Sequence, residues 1–401
     1  MAGLRFNSFS FFLVLFASLL VATSCHGRSR NALFIFGGSS NDVGNNNYME
    51  TAIKANFLPY GETFFKNATG RASDGRLVPD FIAGFAKLPL IPPYLSPDNS
   101  DFTNGLNFAS AGAGALTETN IGMVCSFFFY AFLFLCGTAQ LIMHDIDKLE
   151  FHLNTAIFTS LLKTISLKTQ LSFFKFMEKN LNFKLGEAKT KTLLSRAVYM
   201  FGIGSNDYIA FATRKTTELP SYTREEYVKM VIGNLTDSIQ EIHSMGGRKF
   251  GFSNVGDVGC SPFLRSLNNA TNNGSGCMDE VTILTQLHNK ALTEALKKLE
   301  RKLEGFKFSV FDLYAASKER IDNPTKYGFQ EGKVACCGTG PYKGNLSGCS
   351  AKTVCDNVSN YLFFDGVHPT EKANYQFARL MWSGSADIVK PYNLKTLLKK
   401  I

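Results

Sequence analysis

Three short apolar runs, each stopping at a polar turn that contains glycine, constrain this chain more than any other feature. Ala32 to Phe36 runs into GGSSNDVG, Ala197 to Ile203 into GSND, and Lys249 to Val255 into GDVGC. Between them, Glu225 to Met245 and Glu280 to Leu303 repeat apolar residues at helical spacing. Strands that are apolar throughout need cover on both faces, and strands alternating with amphipathic helices give a parallel sheet with helices on either side. The expectation is therefore an α/β fold. Ligands of such sheets bind outside the carboxyl ends of the strands, which is where these polar turns fall.

With 401 residues, 45% apolar and 19% charged, the chain can bury a large core. No linker and no internal repeat divides it, so length alone leaves one large α/β domain or two. At the start, Arg5 precedes an uncharged apolar run from Phe9 to Ala22 and then small residues, the order of a secretory signal peptide. Residues 1–27 are the expected leader and 28–401 the mature chain, read as a single domain. Export implies an oxidising compartment, so the nine cysteines are examined for pairing. Setting aside Cys25, Cys125 and Cys136 leaves Cys260, Cys277, Cys336, Cys337, Cys349 and Cys355. Cys260 is expected to pair with Cys277 and the other four among themselves. Glycosylation sequons at Asn67, Asn234, Asn269, Asn273, Asn345 and Asn357 suit an exported surface. The net charge of +9 is scattered, and clusters such as Lys297, Lys298, Arg301 and Lys302 read as a solvated helix face rather than a nucleic-acid patch.

Hydrolysis through a nucleophile requires a base beside it, a group that orients the base, and donors for an oxyanion. Of the six histidines, His26 flanks the leader, His144 and His152 fall in an atypical segment, and His243 and His288 lie in helical stretches. His368 differs, standing in YLFFDGVHPTEKA where aromatic strand residues give way to a turn. Asp365, three residues earlier, can fix the tautomer of its imidazole. Ser39 stands where the first strand stops. Read locally, the Asp and His are equally a helix cap beside a surface histidine, and a serine after two glycines is more often a turn than a nucleophile. Asn206 offers a side-chain amide to an oxyanion, and NFASAGAGAL, Asn107 to Leu116, could bring backbone N–H groups to the same place. That run lacks the spacing of a phosphate or dinucleotide loop.

Taken in order, the blocks FIFGGSSNDVGNNN, NFASAGAGAL, GIGSNDY and FFDGVHPTEKA resemble those of the plant GDSL esterase/lipase family, part of the SGNH hydrolase superfamily. TGRASDGRLVPDFIA, GGRKFGF and NPTKYGFQEGKVACCGTGPY are also similar to it, so the resemblance covers nearly the whole mature chain. It implies a three-layer, flavodoxin-like α/β/α sandwich around a central parallel sheet. It makes Ser39 the nucleophile, His368 the general base and Asp365 its orienting acid. It places the oxyanion between the Ser39 N–H, a glycine of the second block, with Gly114 preferred over Gly112, and the Asn206 amide. Substrates would be carboxylic esters, from short acyl esters to lipids, with no metal or organic cofactor, and the location extracellular, in the apoplast or cell wall. A related acyltransferase, or a weakly active defence or carbohydrate-binding protein on the same fold, are the alternatives.

Two departures stand out. The family's first block reads GDSL, whereas this chain has Gly37, Gly38, Ser39 and Ser40, so a carboxylate is missing at Gly38 and reduced rather than abolished activity is expected. A Phe-rich segment at about 125–164 interrupts the pattern between GMV and ISLKTQL. It reads as translated intron; the alternatives are a lid and a membrane span over Ile121 to Met143, which carries no charge.

Overall fold

The computed structural model describes residues 31–99, 101–119, 163–213, 222–272 and 276–399. The expected leader and the 121–143 span lie outside the described residues, as does the atypical segment apart from its last two positions.

The first apolar run forms β1 (Leu33–Gly37), the second β3 (Val198–Gly202) and the third β4 (Lys249–Ser253). With β2 (Gly105–Asn107), β5 (Lys307–Phe311) and β8 (Val389–Pro391) they make a sheet in the order β2-β1-β3-β4-β5-β8. Its first five strands are parallel, and β8 adds an antiparallel edge. A separate parallel pair joins β6 (Glu331–Ala335) to β7 (Tyr361–Phe363).

Side-chain alternation along β1 supplies both faces. Phe34 and Phe36 point to one, where Phe36 stacks on Phe201 at 4.9 Å and Phe201 on Phe252 at 5.3 Å across neighbouring strands. Such aromatic pairs add about 0.5–1.5 kcal/mol each beyond their burial. This face is covered by α2 (Leu167–Leu185), α3 (Glu187–Arg196), α5 (Arg224–Ser244) and α7 (Asp279–Lys302). Leu33 and Ile35 point the other way, onto α1 (Val78–Phe85), α8 (Leu313–Asp322), α9 (Glu371–Ser383) and α10 (Leu394–Lys399). The expected α/β/α sandwich is thus the observed one. Two further helices, α4 (Ser205–Thr213) and α6 (Pro262–Asn272), follow the polar turns after β3 and β4.

The helical stretches begin where local chemistry allows. The Thr223 hydroxyl accepts the Glu226 N–H while the Glu226 carboxylate takes the Thr223 N–H, a reciprocal cap that starts α5 one residue ahead of the expected Glu225. Cys260 pairs with Cys277 as expected, and the remaining four form nested bridges, Cys336–Cys355 around Cys337–Cys349. Cys25, Cys125 and Cys136 lie outside the described residues.

Candidate active site

The strand order 2-1-3-4-5 reverses direction between β1 and β3, and the crevice at such a switch point is where parallel α/β sheets bind ligands. Gly37 ends β1 there with φ of 144°. A Cβ on it would lie 2.3 Å from the Gly202 carbonyl oxygen, so only glycine lets the two strand ends come this close. The Gly38 N–H then donates to that same carbonyl, and the Asn41 and Asp42 N–H groups close the turn onto the Gly38 oxygen. Ser39 stands half-exposed at its apex.

The tail of β7 brings the other two candidates over. The Phe364 N–H donates to the His368 carbonyl and the Phe263 N–H to that of Gly366, which ties the 364–368 loop to itself and to the start of α6. Asp365 is buried, and its Oδ1 accepts the Val367 and His368 N–H groups. His368 Nδ1 lies 2.8 Å from both carboxylate oxygens, and Nε2 lies 2.7 Å from Ser39 Oγ. Burial alone would push the Asp365 carboxyl up, but the adjacent imidazole and the backbone donors outweigh it and hold Asp365 below the usual carboxylate range. Ser39, His368 and Asp365 are therefore in contact, although 329 positions separate the serine from the histidine.

Asn206 falls in the first turn of α4, entered through Gly204 at φ of 121°, so the expected polar turn is the start of a helix. Its Nδ2 donates to the Ala113 carbonyl at 2.8 Å, leaving the second amide hydrogen uncommitted to that bond. A Cβ on Gly38 would lie 3.1 Å from this nitrogen, which places the amide beside the Ser39 turn. Gly114, one position beyond Ala113, is packed tightly: a Cβ there would lie 2.0 Å from Thr119 Oγ1 and 2.5 Å from Asp207 Oδ1. Gly112 has φ of 83°.

The two remaining described histidines lie elsewhere, each with a partner of its own. His243 Nε2 bonds to the Glu304 carbonyl. His288 is buried against the Tyr208 hydroxyl at 2.6 Å, and burial lowers its pKa to about 3.

Local patterns gave no sign of four residues that hold this arrangement. Gln170 of α2 is fully buried; its Oε1 accepts the Gly37 N–H at 2.9 Å, and its Nε2 donates to the carbonyls of Gly37 at 2.9 Å and Ile165 at 2.8 Å. Asp42 accepts the Gly44, Asn45 and Ala111 N–H groups, and Asp207 accepts those of Ala115 and Leu116. The two carboxylates clamp the glycine loop from both ends, and burial raises each to a pKa of about 6. Tyr60 donates to Asp365 Oδ2 at 2.7 Å. Among the described residues no cluster of three or more histidine, cysteine or acidic side chains is placed to hold a metal ion.

A model of GDSL-like lipases and acylhydrolases matches residues 33–381, from the first strand to the last turns of α9. The chain belongs to the GDSL-like lipase/acylhydrolase family. It is similar to GDSL esterase/lipase 1 of Arabidopsis thaliana, 43% identical over 382 residues that cover 92% of this chain and 91% of that one. A GDSL lipase of Tanacetum cinerariifolium is likewise 43% identical, covering 96% of this chain and 93% of its own. At 33% identity, an Arabidopsis thaliana relative named as an inactive GDSL esterase/lipase-like protein is covered over 74% of its length. As a GDSL esterase/lipase, this chain is a carboxylic ester hydrolase.

Proposed function

We propose that this GDSL hydrolase is a secreted serine esterase or lipase that works through an acyl-enzyme on Ser39. The contact of Ser39 Oγ with His368 Nε2 at 2.7 Å, with Asp365 on the far nitrogen, carries this reading. His368 takes the Ser39 proton as Oγ attacks the ester carbonyl, and Asp365 steadies the imidazolium that forms. The oxyanion is met by the Ser39 N–H, the free amide hydrogen of Asn206 and an N–H of the glycine loop, Gly114 or else Gly112. Collapse expels the alcohol, which receives the proton from His368. Water, activated by the same imidazole, then releases the acid.

A crevice of about 120 Å³ begins at Ser39 and Asn206 and runs between the sheet and α8 and α9. Val78, Phe311, Leu313, Phe363 and Phe377 give it an apolar wall suited to the acyl part of an ester. Export of a single domain, residues 28–401, after removal of 1–27 is supported by three disulfides. The exposure of the sequon asparagines Asn67, Asn234, Asn345 and Asn357 supports it further. Among the described residues no helix is long and apolar enough to cross a membrane.

Hydrolysis of p-nitrophenyl butyrate by the purified chain tests the reading. Ser39→Ala and His368→Ala are expected to lower kcat by about 10⁴-fold or more and Asp365→Ala by a smaller factor, with the fold retained. Full activity in Ser39→Ala would assign the chemistry elsewhere.

A further inference from the structure

The hydrogen bonds around Asp365 are unevenly shared. Oδ1 receives two backbone N–H groups and faces His368 Nδ1, whereas Oδ2 has only Nδ1 and the Tyr60 hydroxyl among the described residues. Tyr60 is buried and fixed in place. Its ring stands edge-on to Phe364, the residue before Asp365, at 5.2 Å and to Phe57 at 5.1 Å. Backbone bonds pin its turn at both ends, from the Tyr60 N–H to the Phe57 oxygen and from the Gly61 N–H to the Ser73 oxygen.

A phenol donating to one carboxylate oxygen does two things. It sets the rotation of the carboxylate, so that both oxygens stay within reach of Nδ1. It also draws negative charge away from the imidazole, so the carboxylate attracts the imidazolium less strongly than an equally buried one without that donor would. A base that must be neutral before it can act benefits from this at neutral pH.

We propose that Tyr60 is a positioning residue of the ester hydrolysis, acting through Asp365 to orient His368 and to temper the carboxylate's hold on the imidazolium. The inference rests on Ser39, His368 and Asp365 being the catalytic triad. Of the charged groups near this loop, Glu62 and Lys66 are exposed to solvent, and Asp74 and Glu371 are engaged elsewhere. Asp74 takes the Thr63 hydroxyl and the Glu371 N–H, and Glu371 at the start of α9 is paired with Arg76. Burial, followed by the neighbouring Asp365 charge and the hydrogen bond to it, raises the pKa of Tyr60 itself, so it remains a donor across the working range.

Tyr60→Phe removes one oxygen and keeps the ring between Phe57 and Phe364. Losing a hydrogen bond to a charged group is expected to lower kcat on p-nitrophenyl butyrate by about tenfold while KM changes less than about twofold. The acid limb of the kcat/KM profile is expected to move to higher pH by about half a unit or more, because an unshielded Asp365 binds the imidazolium more tightly. An unmoved limb in Tyr60→Phe overturns the proposal, whatever happens to kcat. Phe57→Leu loosens the same ring but keeps the hydroxyl, and its limb should stay at the wild-type position; a shift as large as that of Tyr60→Phe would assign the effect to packing and also overturn the proposal. A triad that is itself misassigned is recognised separately, by activity that survives Ser39→Ala.

Discussion

Replacing Gln170 by leucine removes the polar group that clamps the end of β1 while keeping nearly the same volume. The Gly37 N–H loses its acceptor at 2.9 Å in a fully buried site, which costs about 1–3 kcal/mol. The Ile165 carbonyl loses a donor, about 1 kcal/mol more. The Gly37 carbonyl keeps the Ser110 N–H and so loses less than the other two. Together the change is expected to destabilise the protein by about 2–4 kcal/mol, a large part of the 5–15 kcal/mol typical of a folded protein. Because Gly37 is two residues before Ser39, part of this reaches that serine. Denaturant unfolding should show a lower midpoint at unchanged slope, and p-nitrophenyl butyrate turnover should fall beyond what the unfolded fraction explains. A loss under 1 kcal/mol with unchanged turnover would refute the idea that Gln170 sets the strand end.

Gly38→Asp should raise turnover several-fold. An added Cβ meets only the Asn206 amide at 3.1 Å and the Ala113 oxygen at 3.4 Å, so the turn can take the side chain with a small adjustment, and the carboxylate adds hydrogen bonds that fix it. Unchanged kinetics in this variant would show that the missing carboxylate is irrelevant here. Asp207→Asn should reveal a pH term in stability. The folded Asp207 pKa is about 6, above the unfolded value of 3.8, so its contribution is fully present below the unfolded value and is lost as pH rises through about 6. The stability of the wild type over Asp207→Asn should therefore shrink between pH 4 and 7, by up to about 3 kcal/mol. A difference that stays constant over that range would contradict the raised pKa.

The parts of this protein that were legible in its sequence are those that local chemistry writes locally. Apolar runs stopping at glycine gave β1, β3 and β4 to within a residue or two, and helical spacing gave α5 and α7. The three-residue strands β2 and β8 are too short for a periodic signal, and β2 was hidden in the asparagine and glycine of its own turn. Ser39, Asp365 and His368 were ordinary turn residues one by one and became candidates through the ordered blocks that resemble the family. Tyr60 and Gln170 left no trace, because a tyrosine in a turn and a glutamine on a helix acquire their roles only from partners 305 and 133 positions away. Of the disulfides, the bridge spanning 17 residues could be anticipated, whereas the pairing among Cys336, Cys337, Cys349 and Cys355 stayed open until the loop geometry chose the nested one.

The central claim is that Ser39, activated by His368, is the nucleophile. Reaction of the folded protein with a fluorophosphonate probe, followed by mass spectrometry of the peptide containing residue 39, tests it most directly. A single adduct on Ser39 is expected, lost in Ser39→Ala and strongly slowed in His368→Ala. A folded wild-type protein that takes no label, or takes it on another serine, would contradict it.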